Sequence, residues 1–183
     1  MTAEVAAKWR PQLIELLEDS VQHGASVGFL LPLPPGEVTK YWDSVLPGLN
    51  TRNRVLLIAE EDGQLEGSVQ LEIPWKANGS HRAEVQKLLV HSRARSRGLG
   101  RALMMAAEDA ARQTGIELLV LDTRTADTAE TLYKSMGFVL AGIIPDYAKS
   151  TNGQLEACSF FYKKLAWFAC ARPRQWGIVE GEM

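Results

Sequence analysis

Cysteine is scarce in this chain: Cys158 and Cys170 are the 2 present in 183 residues. Their spacing fits no metal-ligand pattern, and neither has a histidine close by, so no metal centre and no Cys–His nucleophile is expected. Two thiols without a disulfide framework fit a reducing, cytoplasmic setting. Excess charge is lacking too, with 20 Lys and Arg against 22 Asp and Glu and a net charge of −2. That balance speaks against a nucleic-acid partner, which calls for a basic surplus. No apolar run approaches the roughly 20 residues of a membrane span, so no membrane partner is expected. The opening MTAEVAAKWRPQL has no apolar stretch behind a basic head, and no signal peptide is expected. There is no internal repeat. A Walker loop is absent, and a Gly-x-Gly-x-x-Gly fingerprint fails because Arg101 stands where its third glycine belongs.

What the chain does have is a local concentration of arginine. Residues 82–101 carry 6 Lys and Arg against 1 Glu, which points to an anionic ligand met at one place. The stretch EVQKLLVHSRARSRGLGR, Glu84 to Arg101, opens as a strand through Val85, Leu88, Leu89 and Val90. It turns through Arg93, Arg95, Ser96, Arg97, Gly98 and Gly100, and from Leu99 takes on helical periodicity with Leu103, Ala106 or Ala107, and Ala110. Strand, glycine-bearing turn and helix in that order gather free backbone N–H groups and the positive end of a helix dipole at one spot. Such a spot suits a phosphate. Gly98 and Gly100 leave room for a pyrophosphate against the main chain. Arg95, Arg97 and Arg101 add charge at the rim. The spacing alone serves equally for a solvated basic turn that starts a helix.

Around this stretch the pattern predicts one domain over 1–165 and a C-terminal extension over 166–183. A helix is expected over 3–22, beginning or kinking near Pro11 and stopping at Gly24. Residues 23–37 form an apolar loop, either a core plug or the wall of a substrate pocket. Pro35 opens a helix over roughly 35–46. Two strands follow around Asp62-Gly63, a favoured hairpin turn. After a loop at 73–81, the central strand and the helix ending at Gly115 lead into the buried strand IELLVLDT. Asp127 and Glu130 form a capping-box-like start to a helix closed by Gly137. Strands over 138–144 and 157–164 flank a long turn at 145–156. The order implies an α/β fold whose mixed, largely antiparallel sheet is flanked by helices.

That order, with RSRGLG at the central strand–helix turn and LYKSMGF at 132–138, resembles the GCN5-related N-acetyltransferase (GNAT) family over roughly residues 2–165. Within it GASVGF, NGSHRAEVQKLLV and LVLDT are similar to the tabtoxin-resistance type, which N-acetylates a small amino-acid-like toxin. The resemblance implies a splayed central strand pair, acetyl-CoA as acyl donor and no metal. It implies direct attack, in a ternary complex, by a primary amine of a small molecule such as an amino-acid-like toxin or metabolite. A homodimer stays open. Two departures stand out. The family's short strand ahead of the first helix is absent or vestigial, and Ala126 stands where the family often has an Asn that contacts the pantetheine arm.

Carried over to this sequence, the resemblance assigns the pyrophosphate to the amides from Arg95 through Arg101. It assigns the pantetheine arm to the backbone of Leu88, Leu89 and Val90, paired like an added strand. One N–H there faces the thioester oxygen, and losing such a donor costs about 3–4 kcal/mol. An alkylamine is neutral about one time in 10³ at pH 7, roughly 4 kcal/mol of barrier. Glu84 and Asp122 are the candidate bases; they serve equally as ordinary strand-end carboxylates or as electrostatic hosts for an ammonium. Tyr133 is the candidate acid for the departing thiolate, or a packed core residue. His81 and His91 receive no role, and Cys158 belongs to the core. Two rivals remain: a silent acetyl-CoA-sensing domain, and an acetyltransferase acting on protein amino groups, which needs an open groove.

Overall fold

The computed structural model describes residues 1–165; the extension expected over 166–183 lies outside the described residues. Helix α1 spans Ala3–Gln22 and α2 spans Glu37–Val45, followed by a 3-10 turn at Leu46–Asn50. Strands β1 (Arg54–Glu61), β2 (Gln64–Glu72) and β3 (Arg82–Val90) lead to α3 (Leu99–Gln113). Then come β4 (Leu118–Arg124), α4 (Thr128–Ser135), β5 (Val139–Lys149) and β6 (Leu155–Lys164). The six strands form one sheet in the order β1-β2-β3-β4-β6-β5, open at both edges. Every neighbouring pair is antiparallel except β3 and β4. The crossover through α3 explains the exception, since parallel neighbours need a long connection, usually a helix, between them.

Alternation along the strands builds two cores. One face of the sheet sends Leu57, Val69, Leu71, Ala83 and Val85 against α3 through Leu99, Leu103, Met104 and Ala107. The other sends Leu56, Ile58, Leu65 and Leu89 against α1 and α2 through Leu13, Leu16, Leu17, Val38 and Trp42. Gly67 is required where β2 passes under α3. A Cβ there would lie 2.8 Å from the Leu89 carbonyl oxygen and 2.9 Å from Leu103 Cδ1.

Several expectations shift. Helix α1 begins at Ala3 behind the Thr2 cap and continues through Pro11, which lies in its interior, so the helix does not begin at the proline. The Asp127 side chain accepts from Ala129 N–H at 3.4 Å, but Glu130 does not close the box on Asp127. Its carboxylate takes Lys134 Nζ at 2.7 Å, together with Ser159 and the Ala126 backbone, and is held below its usual range by them. Strand β5 does not end at residue 144. A bulge between Ile144 and Ala148 absorbs Pro145, and pairing with β6 resumes at Ala148, so the turn expected at 145–156 shrinks to 150–154.

The turn after β3 is tied to α1. Asp19 accepts from Ser92 N–H at 2.8 Å and from Ser92 Oγ at 2.7 Å. Burial works to raise that carboxyl, but the Ser92 hydrogen bonds and the His91 and His23 charges leave it below the ordinary value. Beside it Arg93 Nε bridges both Glu66 oxygens at 2.9 and 3.0 Å. A further knot, Glu108 with Arg112 and Lys163, joins α3 to β6. Among the described residues no helix is long and apolar enough to cross a membrane.

Candidate active site

The sequence of β3 forces the sheet apart at its centre. Ala83 and Val85 point to the α3 face, Gln86 and Lys87 are two polar residues in a row, and Leu88 and Val90 then resume the α3 face. One residue has been inserted. Ser68 pairs with Leu89 and Gln70 with Gln86, so Lys87 and Leu88 together oppose Val69. Lys87 takes the left-handed conformation that absorbs the extra residue, with φ 49°. On its other side β3 pairs with β4 only from Arg82 to Glu84. Past Glu84 the two strands diverge, and the β4-facing edge of residues 85–90 has no strand beside it.

A cleft of about 1290 Å³ opens in this fork. Its floor is Glu84–Val90 and the Asp122–Arg124 end of β4. The turn into α3 forms one wall through Arg95, Ser96, Gly98, Leu99, Gly100 and Arg101. Asp127, Thr128, Ala129, Leu132 and Tyr133 form the opposite wall. Gly24–Gly28 and Leu30 close the side under α1. The apolar loop therefore both packs on the core and borders the cleft. Phe29 is buried and Val27, Leu31 and Leu33 pack on the α1–α2 core, while Leu31 N–H reaches Thr151 O at 2.8 Å. No residue of 73–81 lines the cleft, because that loop joins β2 to β3 at the end where β3 and β4 are still paired.

The wall at α3 presents an uncapped helix N-terminus to the cleft. Ala102 N–H makes the first intrahelical bond, to Gly98 O at 3.1 Å, so the amides of Leu99, Gly100 and Arg101 have no acceptor inside the helix. No side chain caps this terminus. Left-handed Ser96 (φ 62°) and Gly98 (φ 83°) set the tight turn that exposes those amides. The three arginines divide. Arg101 donates to Ser135 Oγ at 2.6 Å and Arg95 to Val90 O at 3.3 Å, both at the rim. The Arg97 side chain is turned away and donates to both oxygens of Glu61 at 2.9 Å, lining a separate hollow. The Glu61 carboxylate at the end of β1 captures it, so the rim charge expected from Arg97 is spent elsewhere.

Where the strands part, charged groups gather. Half-buried Glu84 accepts from Gln86 Nε2 at 2.9 Å. Asp122 stands on the facing strand, open to the cleft. Partial burial and the Glu84 charge push its carboxyl above the usual range, while Lys87 pulls the other way. Tyr133 reaches in from α4. Its ring is 6 % exposed and packs against Phe138 and Phe161 at centroid distances of 5.8 and 6.2 Å. Burial, then the charges of Asp127 and Asp122, push the phenol far above its ordinary value, and no hydrogen bond to protein offsets them. Cys158 also borders the cleft; burial raises its thiol, leaving it a poor nucleophile.

Lys87, Arg124 and Asp127 escaped the sequence reading. Asp127 is read from the sequence only as a cap and Arg124 receives no role there; the two form a local ion pair at 2.8 Å on the border of the cleft. Lys87 had a signal: two polar residues in succession break an alternating strand, and the apolar parity shifts from 83 and 85 to 88 and 90.

The sequence matches the model of the acetyltransferase (GNAT) family over residues 16–138. It is 33% identical over 114 residues to an uncharacterized N-acetyltransferase in the hisH-hisA intergenic region of Azospirillum brasilense, covering 61% of this chain and 66% of that protein. The match thus spans just under two thirds of that relative's length. Among solved structures, a ribosomal-protein-alanine N-acetyltransferase from Brucella melitensis superposes with TM-score 0.73 at 24% identity, over 86% of this chain and 95% of its own. The yncA protein of Salmonella typhimurium, described with its cofactor acetyl-CoA, gives TM-score 0.73 at 18% identity, over 90% and 93%. At such identities these two show a shared fold.

Proposed function

The chain belongs to the acetyltransferase (GNAT) family, and on that premise we propose that it moves an acetyl group from acetyl-CoA to a primary amine of a small molecule, by direct attack in a ternary complex. One observation carries this reading. An uncapped helix terminus, an unpaired strand edge, two carboxylates and a buried phenol all meet in a single cleft.

The donor fits the residues present. The free amides of Leu99, Gly100 and Arg101, with the turn from Arg95 through Gly98, would hold its diphosphate. The unpaired edge of Leu88, Leu89 and Val90 would take its amide-bearing arm as an added strand. When bound, acetyl-CoA supplies an acyl group activated as a thioester. The rest falls to the chain. An N–H beside the Lys87 bulge, which has lost its β4 partner, would face negative charge developing on the acyl oxygen. Asp122 and Glu84 would take the proton from the incoming ammonium; with its carboxyl raised, Asp122 is the better matched of the two. Tyr133 would hold its proton toward the departing sulfur. Its raised phenol makes full transfer to a thiolate of pKa about 8.5 uphill, so its contribution is a hydrogen bond to that sulfur. The high thiol of Cys158 supports transfer without an acyl-enzyme. Walling by residues 24–30 supports a small acceptor over a protein surface.

Calorimetry with coenzyme A, followed by thiol release from acetyl-CoA across a panel of amines, tests the proposal. Saturable binding and amine-dependent release are expected. Binding without release on any amine would turn the domain into a sensor, and no binding would remove the enzyme altogether.

A further inference from the structure

We propose that Lys87 selects the acceptor by holding a carboxylate carried on the same small molecule as the reacting amine; this rests on the acyl-transfer reading above. The bulge sets Lys87 out of register with its strand, so its side chain leaves the fork beside Glu84 and Asp122 without being either one's partner. Its Nζ lies 5.2 Å from the centroid of the Tyr41 ring. That ring is fixed on α2, where the Tyr41 hydroxyl and Gln70 Nε2 meet at 3.0 Å. Among the described residues no carboxylate comes within ion-pair distance of Lys87; Glu84, Asp122 and Glu72 act on it only through space. The neighbouring cation is committed, since Arg54 donates to Glu72 at 2.9 Å and to Gln70 at 3.1 Å.

The other basic groups around the cleft are also taken or fully hydrated. Arg124 is paired with Asp127, and Arg101 and Arg95 have the partners given above. Lys149 stands exposed on β5. Lys87 is the cation that has been drawn out of water without receiving an anion in exchange. Burial leads the influences on it and outweighs the distant carboxylates, pulling its ammonium below the ordinary value. An ion held in that way gains from a ligand anion what the protein withholds.

Charge counting narrows the anion. Among the charges that act on Lys87, Arg54 and Glu72 cancel, which leaves Glu84 and Asp122 against Lys87 and a local negative excess at that end of the cleft. A dianionic phosphate would meet both carboxylates with the wrong sign. A plain alkylammonium would suit the carboxylates but add a second cation beside Lys87. A zwitterion of zero net charge suits both ends: ammonium toward Asp122 and Glu84, carboxylate toward Lys87. The acceptor class is thus an amino acid, with α- or ω-placement of the amine decided by reach.

The test compares matched acceptors in the thiol-release assay, a panel of α- and ω-amino acids against their carboxamides, for wild type, Lys87→Met and Lys87→Arg. The quantity read is the ratio of kcat/KM within each pair, variant against wild type, so that amine basicity cancels. Lys87→Met is expected to lower the acid-to-amide ratio about tenfold or more, the range for losing one charged hydrogen bond. The loss should appear in KM for the acid, with the amide little changed, and Lys87→Arg should keep most of the preference. Thermal melting of each variant shows that it is folded. Equal loss for acid and amide would overturn the proposal, reducing Lys87 to a counter-charge for Glu84 and Asp122 while thiol release itself stands. A wild type that acetylates only amines lacking an anion would overturn it as well. No release with any amine would instead fail the acyl-transfer reading, and this inference with it.

Discussion

Replacing Tyr133 by Phe removes one oxygen and leaves the ring where it is. The packing distances to Phe138 and Phe161 are properties of the ring, and Phe keeps them. Because the hydroxyl has no protein partner, its loss orphans no buried donor or acceptor. The expected change in stability is therefore within about 1 kcal/mol. For a chain of this size that is at most about 4 °C in Tm. The kinetic effect is set by what the phenol does. Full proton transfer by a general acid is worth about 10²–10⁴ in rate. A phenol held well above its usual value cannot deliver that to a thiolate of lower pKa, and a hydrogen bond to a charged sulfur is worth about 1.5–3 kcal/mol. The expected loss is thus about 10- to 100-fold in the acyl-transfer step, with coenzyme A affinity nearly unchanged. Single-turnover thiol release reads that step free of slow product departure, and calorimetry reads the affinity. A single-turnover rate within twofold of wild type, in a variant with unchanged Tm, would refute the reasoning. A large fall in Tm would refute its premise that the hydroxyl is structurally idle.

Four other perturbations have expected outcomes. Asp122→Asn should raise Tm at pH 7–8 while lowering kcat. A carboxyl raised by folding contributes stability below its ordinary value near 3.8 and loses it as pH climbs through the raised one, so the Tm gain should vanish toward pH 3. Asp19→Asn has the opposite sign. A carboxyl lowered by folding stabilises above its ordinary range, so the variant should lose about 1.5–3 kcal/mol at neutral pH, and the gap to wild type should close as acid protonates Asp19. Gly67→Ala must displace the Leu89 carbonyl or the Leu103 side chain, and overpacking of that kind costs about 1–3 kcal/mol in a denaturant melt. Ala126 is exposed and sits at φ 64°, where an L side chain is strained, so Ala126→Gly should raise stability by up to about 1 kcal/mol in the same measurement.

The parts of the fold written in local chemistry are legible in the sequence. Asp62-Gly63 specified the hairpin because both residues accept positive φ, 51° and 77°. The α3 terminus was visible in Gly98, whose φ of 83° few other residues tolerate. Features decided by distant partners were not. Arg97 looks the same in sequence as Arg101; only Glu61, 36 residues away, turns its side chain from the cleft. Proline at 145 argued for the end of a strand, and the bulge that rescues it depends on β6 opposite. Glu130 three residues after Asp127 fits a capping box, until buried Ser159 and Lys134 compete for its carboxylate and win. Each miss is a tertiary contact overriding a local preference.

The bulge at Lys87 links these two classes. It is a local event, one surplus residue in a strand, yet its cost in left-handed backbone is met only because the sheet around it is held by two cores. Its consequences divide cleanly between main chain and side chain. The main chain past the bulge borders an open fork with no strand paired on its β4-facing edge, which would suit a donor bound the same way whatever the acceptor. The side chain that the bulge displaces, Lys87, and the neighbouring carboxylates of Glu84 and, across the fork, Asp122 carry no such constraint. On the proposed reading, donor binding would then depend on backbone geometry that most substitutions leave alone. Acceptor choice would depend on the charged side chains of Lys87, Glu84 and Asp122 and on the loop at 24–30. If that division holds, exchanging Lys87 for Met should redirect the acceptor while leaving coenzyme A affinity within a few-fold of wild type. An equal loss of both would place the two functions on one structural element after all.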